Sequence, residues 1–137
     1  MTTTLDDRLA IQDLLYRYAR AADDKDTAAY RACFSSNGVA VNWADFEVND
    51  GATIIDSLSQ YQWTMHKVFN HAFEVEGDRA RGYTYCLATH VADEQGQRRK
   101  EDWHVRYDDE LLRENGQWRF LRREVQVGLI EKVDLPD

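Results

Sequence analysis

The sequence has little proline, little cysteine and a shortage of positive charge. Its single proline, Pro136, lies at the extreme C-terminus, and no Pro-, Gly- or Ser-rich tract divides the 137 residues. That predicts one domain over residues 1–137, with no linker and no internal repeat. Two cysteines, Cys33 and Cys86, sit within apolar patterns, which points to buried free thiols in a reducing compartment rather than a disulfide framework. Seventeen basic residues against twenty-five acidic ones give a formal net charge of −8, a poor match for nucleic acid, whose binding depends on neutralising phosphates. No apolar run approaches the roughly 20 residues of a membrane-spanning helix, so no membrane partner is expected. The N-terminus lacks the basic and apolar stretches of a secretory signal, which predicts a cytoplasmic protein. There is no glycine-rich phosphate loop and no CxxC, HxH or HExxH spacing, so neither a cofactor nor a metal is expected.

What the chain does have is pattern. Hydrophobic residues make up 43% and charged residues 31%, enough for a packed globular core. A first helix is predicted from Thr4, where Thr4-Leu-Asp-Asp7 resembles a capping box. Leu5, Leu9, Leu14, Leu15, Tyr18, Ala19 and Ala22 form its expected apolar stripe. Asp26 caps a second short helix running to Phe34, and Ser35-Ser-Asn-Gly38 reads as a turn. A strand over Val39–Trp43 and a further strand or hairpin ending at Asn49-Asp-Gly51 precede a third helix from Ala52 to about Met65. The period then falls to two. Four strands follow, at about 67–76, 79–92, 98–113 and 117–129. Asn115-Gly116 is a strong hairpin signal, because both residues of a type I′ turn need positive φ. Helices segregated from long antiparallel strands define an α+β fold, in which a curved sheet wraps the helices and leaves a concave pocket.

A two-residue loop at Asn115-Gly116 makes facing residues sum to 231. Asp109 would then meet Arg122, Leu111 Phe120, Tyr107 Glu124 and Trp103 Gly128. Trp103, Val105, Tyr107, Leu111, Trp118 and Phe120 would line the concave side. His104, Arg106, Asp108 and Glu110 would share the outer face with Leu121, Val125 and Val127, a surface suited to an oligomer contact. In the preceding hairpin, His66 comes level with His90. A bulge or a three-residue loop would put both imidazoles on one face, and a strict two-residue loop would put them on opposite faces. His66 and His71, five apart, point to opposite faces of a regular strand and cannot share an ion.

The chemistry left is acid–base chemistry. Asp23, ending the first helix, can orient an imidazole and raise its basicity. Tyr18 lies one turn earlier. The alternatives are equally concrete: Asp23 as a solvated or capping residue of Asp23-Asp-Lys-Asp26, His66 as a satisfied core histidine, and Tyr18 as a core aromatic. Residue types and spacings do not name a reaction.

The chain resembles the SnoaL-like group of the nuclear-transport-factor-2-like superfamily, and within it the scytalone dehydratase-like and bile acid dehydratase-like enzymes. The resemblance rests on Ile11-Gln-Asp-Leu-Leu-Tyr-Arg-Tyr18, Ala21-Ala-Asp-Asp-Lys-Asp26, Phe34 with Asn37-Gly38, Thr64-Met-His66, Glu76-Gly-Asp-Arg-Ala80 and Asn115-Gly-Gln-Trp-Arg-Phe120. It implies a cone-shaped, curved antiparallel or mixed sheet around N-terminal helices. It also implies catalytic roles for Asp23, His66, His90 and Tyr18, with Trp43, Phe46, Trp103 and Tyr107 as an aromatic substrate pocket. In that arrangement His66 is the base and Asp23 supports the imidazole pair, most directly His90. Two tyrosines that hold a water in scytalone dehydratase fall here on Ala22 and Trp43, and the bile acid dehydratases carry a carboxylate near the position of His90. The implied activity is a cofactor-independent dehydratase acting on a cyclic or steroid-like β-hydroxy carbonyl, as a homodimer or homotrimer. The alternatives are ketosteroid-isomerase-like or cyclase chemistry, or a non-catalytic binding module or subunit.

Overall fold

A computed structural model describes residues 3–41, 47–48 and 50–136. Among the described residues three helices, α1 (Leu5–Asp24), α2 (Thr27–Ala32) and α3 (Gly51–Leu58), accompany six strands. These are β1 (Phe34–Val41), β2 (Glu47–Val48), β3 (Trp63–Glu76), β4 (Arg79–Glu94), β5 (Gln97–Glu114) and β6 (Gln117–Asp134). They form one open sheet in the order β2-β1-β6-β5-β4-β3, antiparallel throughout except for the parallel β1–β6 pair. The α+β class and the curved mixed sheet agree with the sequence reading.

Capping starts each helix where an acceptor side chain can take an orphan backbone N–H. The hydroxyl of Thr4 accepts from the amide of Asp7 at 3.1 Å, Asp26 from Ala29 at 3.0 Å, and Asp50 from Ala52 at 3.0 Å. Asp7 also ties α1 to the last hairpin, accepting from Arg113 Nη2 at 2.6 Å. The buried stripe of α1 is Ile11, Leu14, Leu15, Tyr18, Ala21 and Ala22, flanked by Ala19. Leu5 and Leu9 are exposed. At about 100° per residue they fall well off the line through Leu14, Tyr18 and Ala22, so the buried stripe is narrower than expected and excludes them.

Two other local expectations also change. Ser35–Gly38 lies within β1 rather than forming a turn, and the β1–β6 register shifts between Phe34 and Val39. Gly38 serves close approach: a Cβ there would stand 2.5 Å from the carbonyl oxygen of Phe120. The third helix stops at Leu58 and β3 begins at Trp63, so Met65 belongs to a strand and faces outward, partly exposed. Thr64, His66 and Val68 alternate inward from that point. The change from helical to strand period comes several residues earlier than the sequence suggested.

The long hairpins turn on positive-φ pairs or single residues: Gly77 at 62°, Gln95 and Gly96 at 55° and 87°, Asn115 and Gly116 at 51° and 78°. From the last of these, β5 and β6 pair with residues summing to 231 as far as Leu111↔Phe120. A bulge then moves the register by one. Asp109 faces Arg123 rather than Arg122, and Tyr107 faces Val125 rather than Glu124. A second shift beyond Val105 sets Trp103 opposite Ile130 rather than Gly128. Val125 and Val127 consequently pack against the core instead of joining the outer face. Val105, Tyr107, Leu111, Trp118 and Phe120 are buried on the concave side, as expected.

The outer face keeps an apolar share. Met65, Phe69, Tyr85 and Leu129 are exposed there beside charged neighbours such as Arg106 and Asp108.

Candidate active site

Helix α1 ends against the start of β3, and this junction builds the site. Lys25 closes the helix in the left-handed conformation (φ 56°), its backbone N–H directed at the carbonyls of Ala21 and Ala22. The preceding turn carries the Asp23 carboxylate to the sheet edge. Its Oδ2 accepts the backbone N–H of His66 at 2.9 Å. Its Oδ1 lies 2.7 Å from His66 Nδ1 and accepts the Thr64 hydroxyl at 3.0 Å. Because β3 is an edge strand, the His66 amide is free of sheet pairing on that side, and the carboxylate takes it.

An ionised carboxylate only accepts hydrogen bonds, so Nδ1 of His66 carries the proton and Nε2 is left basic. Burial raises the pKa of Asp23, but hydrogen bonds from the ring and amide of His66 and from Thr64 outweigh it. The carboxyl is held below its ordinary value of 3.8.

A bulge between Val68 and His71 settles which faces the histidines occupy. Past the Gly77-Asp78 loop, His66 pairs with Ala88 and Thr64 with His90, and both imidazoles point to the concave side. Their ring centroids are 6.0 Å apart. Asp23 contacts His66 and not His90, contrary to the expectation that it would support His90 most directly. The same bulge brings His71 to the concave face, in register with Thr84. Four residues of β4 separate that level from His66, about 13 Å at strand rise, too far for a shared ion. Among the described residues no three His, Cys, Asp or Glu side chains are grouped to hold a metal.

The two rings open on a cavity of about 290 Å³. Tyr18, Tyr61, Trp103 and Tyr107 line it together with Ile54 and Leu58. Trp43 and Phe46, the other expected pocket aromatics, lie outside the described residues. His90 sits between Tyr61 and Trp103, with ring centroids 4.6 and 5.0 Å away. Its Nδ1 is buried and has no hydrogen-bond partner among the described residues. None of the described lining residues is a Lys, Arg, Asp or Glu. Another cleft, between Arg8, Gln12 and His71, has no paired acid and base among its described lining residues.

Burial, with the nearby His66 adding to it, lowers the pKa of His90 from 6.5 to about 4. Between those values the unfolded chain binds a proton that the folded chain excludes. Stability contributed by neutral His90 is therefore complete above pH 6.5 and is lost as pH falls toward 4. The expected loss is about 3 kcal/mol. Urea unfolding of wild type and His90→Phe at pH 7 and pH 4.5 measures it. The variant should lose less stability on acidification, and an equal loss in both proteins would refute the assignment.

Tyr18 is buried rather than at the rim, and its hydroxyl accepts from that of Tyr30 at 3.3 Å. Burial raises the pKa of both phenols. They remain protonated at neutral pH, and the proton of Tyr18 is free to be donated toward the cavity. Beneath them lies Arg123, 3.6 Å from the ring centroid of Tyr107 and 4.2 Å from that of Tyr18. Its Nε stands 3.0 Å from Asp109 Oδ1, and Thr84 donates to Asp109 Oδ2 at 3.0 Å. Burial raises the pKa of Asp109 against the pull of Arg123, and the always-charged guanidinium 3.0 Å away makes this a buried ion pair. Cys33 and Cys86 are buried free thiols, and burial raises Cys86 to about 11, which removes it as a nucleophile.

Thr64, Lys25, Tyr30 and Arg123 escaped the sequence reading. Thr64 was within reach, since strand alternation puts it on the face of His66. Arg123 was hidden by the β5–β6 bulge, which made Arg122 look like the partner.

The sequence of residues 3–124 matches the model of the SnoaL-like domain family. The chain belongs to that family. Its solved neighbours share the nuclear-transport-factor-2-like fold. A candidate scytalone dehydratase from Novosphingobium aromaticivorans DSM 12444 is 21% identical, with a TM-score of 0.82 over 98% of this chain and 91% of the other. The Kfla4162 protein from Kribbella flavida is 22% identical, with a TM-score of 0.81 over 92% and 93%. The hexachlorocyclohexane dehydrochlorinase LinA-type3 from Novosphingobium barchaimii LL02 is 18% identical, with a TM-score of 0.80 over 94% and 91%. No curated protein matches the sequence significantly. In this SnoaL-like chain, the acid at the end of the first helix and the histidine at the start of β3 are in direct contact.

Proposed function

We propose that this SnoaL-like protein is a cofactor-independent lyase that eliminates water from a β-hydroxy carbonyl compound. The observation that carries the reading is the 2.7 Å contact between Asp23 and His66 at the wall of an aromatic cavity. It leaves Nε2 of His66 as a base with its tautomer fixed. His66 takes the proton α to the carbonyl, and the electron pair moves to the carbonyl oxygen as an enolate. The enolate collapses to a carbon–carbon double bond as the β-hydroxyl leaves, taking a proton from the His66 imidazolium. One water is released and the base is restored.

Tyr18, itself receiving a hydrogen bond from Tyr30, donates to the carbonyl or leaving oxygen, where negative charge develops. His90, kept neutral by burial and lining the cavity, is a second polar contact for the substrate. Trp103 and Tyr107 with Tyr61 favour a ring-bearing substrate, and the lack of charged groups among the described lining residues favours an uncharged one. Two of the solved neighbours are named for eliminations, one of water and one of hydrogen chloride. The apolar residues of the outer face carry self-association as a homodimer or homotrimer into the same proposal, which sedimentation velocity of the purified chain reads directly.

The test is incubation of the purified protein with cyclic β-hydroxy ketones, followed by mass spectrometry. Loss of water that depends on His66 supports the lyase. Double-bond migration without loss of water would replace it by an isomerase using the same proton abstraction.

A further inference from the structure

Lys25 occupies a backbone conformation that side chains avoid and glycine adopts freely (φ 56°). Helix termination alone is served by a glycine, so the interest lies in where the side chain goes. Its Nζ donates to the hydroxyl of Thr64 at 2.9 Å and lies 3.4 Å from the backbone carbonyl of Asp23. A threonine hydroxyl has one proton to give. With Lys25 donating to its oxygen, that proton goes to Asp23 Oδ1 at 3.0 Å, the same oxygen that meets His66 Nδ1.

We infer that Lys25 is a positioning residue, whose ammonium acts through Thr64 to orient the Asp23 carboxylate against His66. The series Lys25–Thr64–Asp23–His66 is continuous, each link 3.0 Å or less. Of the four only His66 lines the cavity, so Lys25 acts at a remove from the substrate. The inference deepens the proposed lyase reading, because the pair being oriented is its base, but the geometry can be tested without any substrate.

Other groups facing Asp23 have to be kept constant in such a test. They are His66 on β3 and His90 and Cys86 on β4. Lys25→Gly leaves all three in place and suits the left-handed backbone, so the variant should fold at least as stably as wild type. Loss of the ammonium frees the Thr64 hydroxyl to turn away, and Asp23 loses part of the hydrogen bonding that holds its carboxyl low.

The measurement is the pH titration of the Asp23 side-chain carboxyl carbon by NMR in wild type, Lys25→Gly, Thr64→Val and the double variant, with thermal unfolding alongside. In Lys25→Gly the midpoint should rise by on the order of half a pH unit, with the melting temperature unchanged or higher. Thr64→Val should raise it by at least as much, and the double variant should match Thr64→Val alone. A wild-type midpoint in Lys25→Gly would overturn the inference and leave Lys25 as a helix cap. Additive shifts in the double variant would also overturn it, since Lys25 would then act by charge rather than through Thr64. An intact relay in a protein that turns over no β-hydroxy carbonyl would sink the lyase reading and leave this one standing.

Discussion

Replacing His66 by alanine should lower turnover of a β-hydroxy carbonyl substrate by about 10²–10⁴-fold, the usual contribution of a general base. The loss should fall on kcat more than on KM, because the imidazole acts on the α-proton and the aromatic walls do most of the binding. Circular dichroism should be unchanged, since the deleted ring faces the cavity and the surrounding strand pairing is backbone-borne. Asp23→Asn should act in the same direction, because an amide can donate as well as accept and no longer dictates which ring nitrogen carries the proton. Wild-type turnover by His66→Ala would remove this residue from the mechanism.

The second large effect is on stability. Arg123→Met should destabilise the protein by about 3–5 kcal/mol, read by urea unfolding at pH 7. The substitution strands the Asp109 carboxylate, buried beside Thr84, without its counter-charge. It also removes the cation stacked under Tyr18, Tyr107 and Phe120, which supports the cavity floor. Asp109→Leu should cost a similar amount for the reciprocal reason. The double variant Asp109→Leu/Arg123→Met should be more stable than either single one, because two apolar side chains can occupy the site without an orphaned charge. Additive losses in the double variant would mean that the pair is not the source of the cost.

Lower down the ranking of effects, the acid sensitivity tied to His90 and the relay through Lys25 probe the same cavity from two sides. One depends on an imidazole kept neutral by burial, the other on a carboxylate kept ionised by donors. Both pKa values are lowered, for opposite reasons: burial disfavours the charged imidazolium of His90, whereas hydrogen-bond donors overcome burial and keep Asp23 charged.

Much of this was written in local chemistry. The acceptor side chains of Thr4 and Asp26 fix helix starts because orphan N–H groups must be satisfied nearby, and Asn115-Gly116 fixes a hairpin because few residue pairs tolerate two positive φ values. Period-two runs from Arg79 onward give β4 and β5 at nearly the observed length and end β6 about five residues early. The residues behind the family resemblance, Asp23 and His66 among them, could likewise be picked out before any coordinates. What the tertiary structure alone decided is phase. A strand register depends on every residue between two points, and a bulge inserts one residue that hydrophobic alternation does not announce. The bulge after Val68 put His66, His71 and His90 on one face, and the bulge before Leu111 exchanged Arg122 for Arg123 beside Asp109. Contacts between α1 and β3 then chose which imidazole Asp23 would hold, because only the docked helix brings residue 23 within a hydrogen bond of residue 66.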